Sequence, residues 1–371
     1  MVTLVVIDHH RSDYLDKSHV EIPTFASEDE FITAVARHVQ NDYDLLLSDA
    51  DPDGYLSALI FALSKGTRGA QYQYRCYRVP LTKEIIDIFH NNGITTIIAF
   101  DWFPIYACDL SIFDRVVLLN PTYSKLFEHT STSELVYRAL AHKTDFMEDL
   151  NAIGVVCDYG VQSGAKTIER TIARYPKIFA SLLEPAQTGK LNRYNVYESP
   201  FSELTEMYWA PYIVNGERGA QELVSLILAN EPFTFADLFN YSHHPVVKYI
   251  RGMHAKLSEM LRSEQGRYHD KKIENGAVII YEPAVNSPGF VQKFSSMLCQ
   301  HTIGKVFMIK TKINGNTKYS VRHRGLHLDL GRILHEMGVG GGHPEAAGAL
   351  VKDPEGFELA FIERVKNELN A

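Results

Sequence analysis

An apolar run that stops at three closely spaced aspartates constrains the fold of this 371-residue chain more than any other stretch. The apolar residues 45–47 are followed by Asp49, Asp51 and Asp53, and residues 55–60 have a helical pattern. A short apolar run bounded by turn residues predicts a buried strand, and ligands of open α/β sheets bind beyond the carboxyl ends of the strands. Neighbouring carboxylates repel one another unless a cation neutralises them. The stretch therefore indicates either a metal site or an ordinary turn of Asp, Pro and Gly.

Ligand-type side chains follow other predicted strands in the N-terminal half. These are residues 2–7 before Asp8, His9 and His10, residues 95–100 before Asp101, and residues 152–157 before Asp158. Because the strands alternate with predicted helices, we expect a mostly parallel, doubly wound sheet of the α/β class. Its strand ends would converge on one edge. Carboxylates and imidazoles gathered there suit a two-metal site that activates water for attack on phosphorus.

Composition narrows the class of protein. The net charge of −8 at pH 7 argues against a uniformly basic nucleic-acid binder, although it leaves room for a local basic groove. The four cysteines form no Cys-x-x-Cys motif, so we expect no disulfide framework and a reducing, cytoplasmic location. We expect no membrane span, and the first residues predict a strand rather than a signal peptide.

The motifs together resemble the DHH phosphoesterases, whose second domain is called DHHA1. In the first domain they are Asp49-Ala50-Asp51-Pro52-Asp53-Gly54, Asp101, Asp8-His9-His10 and Asp158. In the second they are Tyr319-Ser320-Val321-Arg322 and Gly340-Gly341-Gly342-His343, with Ala346-Ala347-Gly348 after them. Residues 207–218, which include Pro211, Asn215 and Arg218, resemble an element of the RecJ-type single-strand exonucleases. The three-aspartate form of the first motif also resembles RecJ.

The position of the Asp-His-His triplet departs from the family. In the family the triplet lies between the single aspartate and the Asn-Pro strand, whereas here it precedes the aspartate-rich loop. One interpretation is that the first strand is relocated in sequence but fills its usual place in the sheet. The other is that residues 8–10 are incidental, and that the loop at residues 104–114 compensates with Asp109 as its obvious ligand. The first interpretation keeps the strand ends coherent and is preferred.

The resemblance implies a role for each matching residue. It implies two divalent ions, Mn²⁺ before Mg²⁺ or Co²⁺, and single-stranded DNA or short oligonucleotides as the partner, with the oligomeric state open. The implied metal ligands are His9, Asp51, Asp53, Asp101 and Asp158, and the implied catalytic residues are His10, Asp49 and Asp8. The implied substrate-binding residues are Arg218, Arg322, Gly341, Gly342 and His343.

We expect three segments: a DHH domain at residues 1–243, a connecting helix at 244–274, and a smaller α/β DHHA1-like domain at 275–371, with a cleft between the two domains. The RecJ resemblance implies an exonuclease that releases mononucleotides. Only about twenty residues follow the glycine motif, which favours the alternative of a nanoRNase or a phosphodiesterase of linear or cyclic dinucleotides. A catalytically inactive binding scaffold is the third interpretation.

Overall fold

The computed structural model describes two compact units, the first ending at His254 and the second beginning at Ala255. The described residues are 20–21, 27–39, 41–66, 73–76, 82–101, 110, 112–120, 130–158, 160–285, 287–313 and 315–370. The predicted strand at residues 2–7 and the triplet Asp8-His9-His10 therefore lie outside the described residues. Among these residues, each unit contains one β-sheet.

The sheet of the first unit is parallel and has the order β1-β5-β4-β2-β3. Its strands are β1 (Val20–Glu21), β2 (Leu45–Ser48), β3 (Gln73–Cys76), β4 (Thr96–Phe100) and β5 (Arg115–Leu119). β2 is buried along its whole length, as expected of a parallel strand covered on both faces. Ser48 lies beside Phe100 in the register, so β2 and β4 end side by side. The predicted parallel α/β sheet is confirmed.

Helices follow the strands of the first unit as the alternating pattern predicts. They are α1 (Glu28–Val39), α2 (Pro52–Ser64), α3 (Lys83–Asn91), α4 (Thr132–Ala139), α5 (Asp145–Cys157), α6 (Ala165–Arg174), α7 (Leu183–Gln187), α8 (Arg193–Tyr197), α9 (Pro200–Asn215), α10 (Glu217–Ala229) and α11 (Phe235–Phe239). In the core, Leu45 and Leu47 of β2 belong to one buried cluster with Ile86 and Phe89 of α3.

One predicted element of this unit is wrong. Residues 152–157, predicted as a strand, form the C-terminal part of α5, and Asp158 is the C-cap residue of that helix. Every residue from Met147 to Val156 is buried. Such an apolar stretch lacks the periodicity that distinguishes a helix surrounded by protein from a buried strand.

The second unit has a mixed sheet of order β10-β11-β9-β8-β7-β6, in which only the described pair β7 and β8 is parallel. α12 (Pro245–Lys271) contains the division between the units. After it come β6 (Ile273–Asn275), β7 (Val278–Tyr281), α13 (Pro288–His301), β8 (Val306–Ile313), β9 (Asn316–His323), α14 (Leu330–Glu336), β10 (Gly340–His343), β11 (Ala346–Val351) and α15 (Pro354–Asn370). Phe361 of α15 and Leu330 of α14 pack on the sheet in one apolar core. No helix in the described part of the chain is long and apolar enough to cross a membrane.

Candidate metal and phosphoester site

The aspartate-rich stretch forms the turn from β2 into α2. Asp51 is the N-cap residue of α2, where its carboxylate accepts a hydrogen bond from the Gly54 amide at 3.0 Å, and Pro52 occupies the first helical turn. A Cβ atom on Gly54 would lie 2.9 Å from the Asp49 carbonyl oxygen, so this tight turn requires glycine. The capping geometry accounts for the turn residues themselves. Capping does not explain why carboxylates from other helices and strands lie near this turn.

The carboxylate of Asp53 meets the N-terminus of α4. Its two oxygens accept hydrogen bonds from the backbone N–H groups of Thr132, at 2.7 Å, and Ser133, at 3.0 Å. Asp53 is only 2% exposed. The first N–H groups of a helix have no partner within the helix and carry partial positive charge, so they favour an anion at this position.

Asp101 lies beside Asp53 and is held by the same helix end. It directly follows β4, and its φ of 54° places it in the left-handed region, which is uncommon for a residue other than glycine. Its backbone N–H donates to the Leu119 carbonyl at 3.0 Å, and its carboxylate accepts from the Thr132 hydroxyl at 3.0 Å. Thr132 therefore contacts two predicted metal ligands, Asp53 through its backbone and Asp101 through its side chain.

Asp158 reaches the same region from the end of α5. A close approach between α4 and α5 brings it there, because a Cβ atom on Gly154 would lie 2.2 Å from the Ser133 hydroxyl oxygen. The last turn of α5 is anchored by the Tyr197 hydroxyl, which donates to the Val156 carbonyl. The position of Asp158 in the site thus follows from the packing of two helices and not from a strand end.

Burial and neighbouring carboxylates shift the pKa values of these aspartates upward. Burial raises the pKa of Asp53, and the charge of Asp51 raises it further. Burial, followed by the charges of Asp53 and Asp51, raises the pKa of Asp158. The pKa of Asp101 lies well above its usual range because of burial and then the charges of Asp51, Asp53, Asp158 and Asp49. A cation bound beside these carboxylates would favour their charged forms.

The donor chemistry of the site fits a divalent cation, since hard ions such as Mg²⁺ and Mn²⁺ prefer carboxylate oxygens. Within the described ranges, no group of three or more His, Cys, Asp or Glu side chains is arranged so that it could hold a metal ion. The described aspartates by themselves therefore do not form a complete metal site. The three predicted N-terminal members, Asp8, His9 and His10, lie outside the described residues.

The predicted substrate-binding residues fall in different environments. Arg218, near the start of α10, has a side chain that is 84% exposed, and its Nε donates to Glu222 one turn later at 2.8 Å. Arg322 lies in β9 in the second unit, half-buried, and its Nε donates to the Ser295 hydroxyl at 3.1 Å. Both guanidinium groups keep further N–H groups that could donate to a phosphate.

The glycine motif forms the edge strand β10. Gly342 has a φ of 145°, and a Cβ atom on it would lie 2.7 Å from the Ala346 carbonyl oxygen, whereas nothing lies within 4 Å of a Cβ atom on Gly341. The side chain of His343 lies outside the described part of the structure. These glycines bring the backbone of β10 close to β11 and leave the Gly341 position open.

Two features, one in each unit, were missed by sequence reasoning. The sequence of residues 131–134 matches a helix capping box, and the helix N-terminus that it predicts is itself a signal for anion binding at Thr132 and Ser133. His323 was not noted at all. Its Nε2 lies 3.1 Å from the Leu328 carbonyl oxygen and 3.2 Å from that of Pro344, so it holds the turn between β10 and β11.

Comparisons with known proteins agree with this architecture. A family model of the DHHA1 domain matches residues 275–371. RecJ from Thermus thermophilus in complex with Mn²⁺ has a TM-score of 0.62 and 14% identity, over 92% of this chain and 55% of that one. An exonuclease RecJ bound to manganese has a TM-score of 0.54 and 15% identity, over 94% of this chain and 95% of that one. The DHH domain of a member of the s1p family of ribosomal proteins has a TM-score of 0.56 and 15% identity, over 93% and 92% of the two chains.

The sequence similarity to these proteins is low. No curated protein matches the chain by sequence. The chain spans about half the length of the Thermus RecJ, and an identity of 14% shows the fold alone. The predicted resemblance and fold class are confirmed at that level: residues 275–371 are a DHHA1 domain, and the chain has the RecJ-like fold of the DHH/DHHA1 proteins.

Proposed function

We propose that this protein is a metal-dependent phosphodiesterase that hydrolyses single-stranded nucleic acid, as a RecJ-like exonuclease on single-stranded DNA that releases mononucleotides. One observation carries the proposal. Asp53, Asp101 and Asp158 come from three separate parts of the chain, yet Thr132 contacts both Asp53 and Asp101, and burial and the charge of Asp53 raise the pKa of both Asp101 and Asp158. A cluster of like charges is costly unless it binds a cation, and such clusters are typical of functional sites.

The residues that would hold two divalent ions are Asp51, Asp53, Asp101, Asp158 and His9, with Asp8 and Asp49 beside them. Mn²⁺ is the preferred ion, with Mg²⁺ as an alternative, because RecJ proteins of the same fold have been crystallised with each. When bound, such ions supply an activated water for in-line attack on phosphorus and stabilise the charge that develops on its oxygens.

The chain's own residues have two tasks in this mechanism. The N-terminus of α4 holds Asp53 and Asp101 in fixed orientations through Thr132 and Ser133. Cationic and backbone donors bind the phosphates of the strand. For this second task we propose Arg218 in the first unit and, in the second unit, Arg322 with Gly341, Gly342 and His343. His10 would contact the scissile phosphate.

The decisive experiment is a gel assay with Mn²⁺ on end-labelled single strands of DNA and RNA, from dinucleotides to strands of about thirty nucleotides. Removal of nucleotides from one end of long DNA is the expected result. Cleavage limited to the shortest strands would instead support a nanoRNase-like or dinucleotide-specific enzyme. A protein that binds strands but cleaves none, with any of Mn²⁺, Mg²⁺ or Co²⁺, would indicate the inactive scaffold and refute the proposal.

Three variants sharpen this assay. Asp101→Asn should abolish cleavage, because it removes a predicted ligand. Asp114→Asn should keep full activity, since Asp114 is exposed and precedes β5 at the opposite end of the sheet from the site. His9→Ala should also be inactive. Full activity in His9→Ala would show that the N-terminal triplet does not fill the family's usual position.

A further inference from the structure

Tyr241 has a backbone conformation that is unfavourable for a large side chain. It follows α11 with a φ of 53°. The Asn240 amide donates to the Ala236 carbonyl at 2.9 Å, and the Ser242 amide donates to the Asp237 carbonyl at 3.1 Å. The second bond is that of a Schellman motif, in which the residue at the position of Tyr241 is usually glycine. An aromatic residue in the left-handed region costs free energy that glycine would not, and strain of this kind is often associated with function.

The ring of Tyr241 is both exposed and supported. Tyr241 is 70% exposed. The guanidinium carbon of Arg251, in α12, lies 3.6 Å from its ring centroid. The Arg251 side chain is only 12% exposed and is fixed by Glu203 at 3.2 Å and by the Met207 sulfur at 3.9 Å. One face of the ring therefore rests on a fixed cation, and the exposed area belongs to the opposite face and the edges.

We propose that Tyr241, supported by Arg251, is a stacking platform for an unpaired nucleobase of the substrate strand. This inference rests on the proposed function. Proteins that bind single strands stack bases on exposed aromatic rings and place cations beside the backbone, and an arginine adds a cation–π contribution. Lys248 is exposed one helical turn before Arg251 and can neutralise a phosphate next to the stacked base.

The platform belongs to the same unit as the aspartates, and α9 connects the two. Glu203 and Met207 of α9 hold Arg251. The residue after Met207 in the same helix is Tyr208, whose carbonyl accepts a hydrogen bond from the Tyr55 hydroxyl of α2 at 2.7 Å. α2 is the helix that begins at the aspartate-rich turn. A strand on the platform would thus be held at a fixed separation from the site, as an enzyme acting at a strand end requires.

A purely structural role for Tyr241 and a binding role predict opposite effects of Tyr241→Gly on the stability of the protein. If the ring serves only to cover Arg251, Tyr241→Gly should destabilise the protein. If the ring is a binding platform, Tyr241→Gly should be at least as stable as the unaltered protein, because glycine suits the left-handed backbone. Thermal unfolding of the two proteins separates these explanations.

Binding supplies the second measurement. Fluorescence anisotropy with a labelled thymidine strand of about twelve nucleotides, in EDTA to prevent hydrolysis, should show an affinity about tenfold weaker in Tyr241→Gly, as expected for the loss of one stacked base. Tyr241→Trp should retain binding. Tyr194→Leu is the matched control, since Tyr194 is 67% exposed and lies near an arginine, yet sits in the regular helix α8. A fully abasic strand should bind the unaltered protein and Tyr241→Gly equally.

Unchanged affinity in Tyr241→Gly, or an equal loss in Tyr194→Leu, would overturn the inference while leaving the proposed function intact. Failure of the unaltered protein to bind any single strand would refute the proposed function and this inference together.

Discussion

Gly154→Ala tests whether the close approach of α4 and α5 positions the candidate site. A Cβ atom at residue 154 would lie 2.2 Å from the Ser133 hydroxyl oxygen, 2.8 Å from its Cβ and 3.1 Å from an Asp53 carboxylate oxygen. Rotation of Ser133 relieves the first contact only. The second requires the two helices to separate by about 0.6 Å, to an ordinary contact of 3.4 Å.

The cost can be estimated from these contacts. Overpacking of this size costs about 1–3 kcal/mol. Moving Ser133 also weakens its N–H hydrogen bond to the Asp53 carboxylate, which is worth about 1.5–3 kcal/mol for a charged acceptor. The higher helix propensity of alanine, compared with glycine, offsets about 1 kcal/mol of this loss of stability. We therefore expect the free energy of unfolding to fall by about 2–4 kcal/mol, and the dissociation constant for Mn²⁺ to rise because Asp53 and Asp158 move apart.

Urea unfolding of the metal-free protein, followed by circular dichroism, measures the first effect, and calorimetric titration with Mn²⁺ measures the second. Gly252→Ala is the matched control. Gly252 also lies within a helix of the first unit, but it is exposed and nothing lies within 4 Å of its added Cβ atom. That substitution should stabilise the protein by up to about 1 kcal/mol. If Gly154→Ala behaved like Gly252→Ala, the inferred packing of α4 on α5 would be wrong.

Three further predictions concern single side chains. Burial, with a neighbouring arginine, lowers the pKa of His38 to about 4. The unfolded chain therefore takes up a proton below about pH 6.5 that the native state does not. Unfolding free energies from urea titrations should fall as the pH decreases from 6.5 to 4, and an equally steep fall in His38→Gln would contradict this cause. The guanidinium of Arg174 lies 2.6 Å from the buried carboxylate of Asp149. Arg174→Met should lower the free energy of unfolding in the same titrations by about 3–5 kcal/mol, because it leaves this carboxylate without its cation. A loss below about 1 kcal/mol would mean that this pair behaves as a surface pair. Thr132→Val should weaken Mn²⁺ binding in calorimetry and Thr132→Ser should not, since only valine removes the hydroxyl that donates a hydrogen bond to the Asp101 carboxylate. Equal affinities of the two variants would show that this hydroxyl does not position Asp101.

The part of the site that belongs to the sheet could be predicted from the sequence. The apolar runs before Asp49 and Asp101 are short and bounded by turn or capping residues, and the structure contains β2 and β4 at these places, ending side by side. Local patterns suffice here because a parallel strand buried on both faces must be apolar throughout. The turn between β2 and α2 requires glycine at residue 54, and the aspartate-rich motif of the sequence ends in this glycine.

The helical part of the site could not be predicted in the same way. The apolar residues before Asp158 predict a strand, whereas they form the last part of the buried helix α5. A helix that is buried on all sides has no polar face, so its sequence lacks the helical periodicity. The contacts of Thr132 and Ser133 with Asp53 span about eighty residues of sequence, and nothing in either stretch specifies the other. Such contacts depend on how α4 packs against α2 and α5, which a pattern along one chain segment does not encode.

The two helix ends at the site act in opposite directions on the carboxylates. Asp53 lies at the N-terminus of α4, where the exposed N–H groups favour negative charge, whereas Asp158 lies at the C-terminus of α5, where the carbonyl groups oppose it. The protein thus offsets part of the charge of Asp53 with its own backbone, but the backbone makes the charge of Asp158 more costly. A cation bound between them would relieve Asp158 most. Removing the metal should therefore disturb the end of α5 more than the start of α4, which hydrogen exchange of the two helices with and without Mn²⁺ can measure.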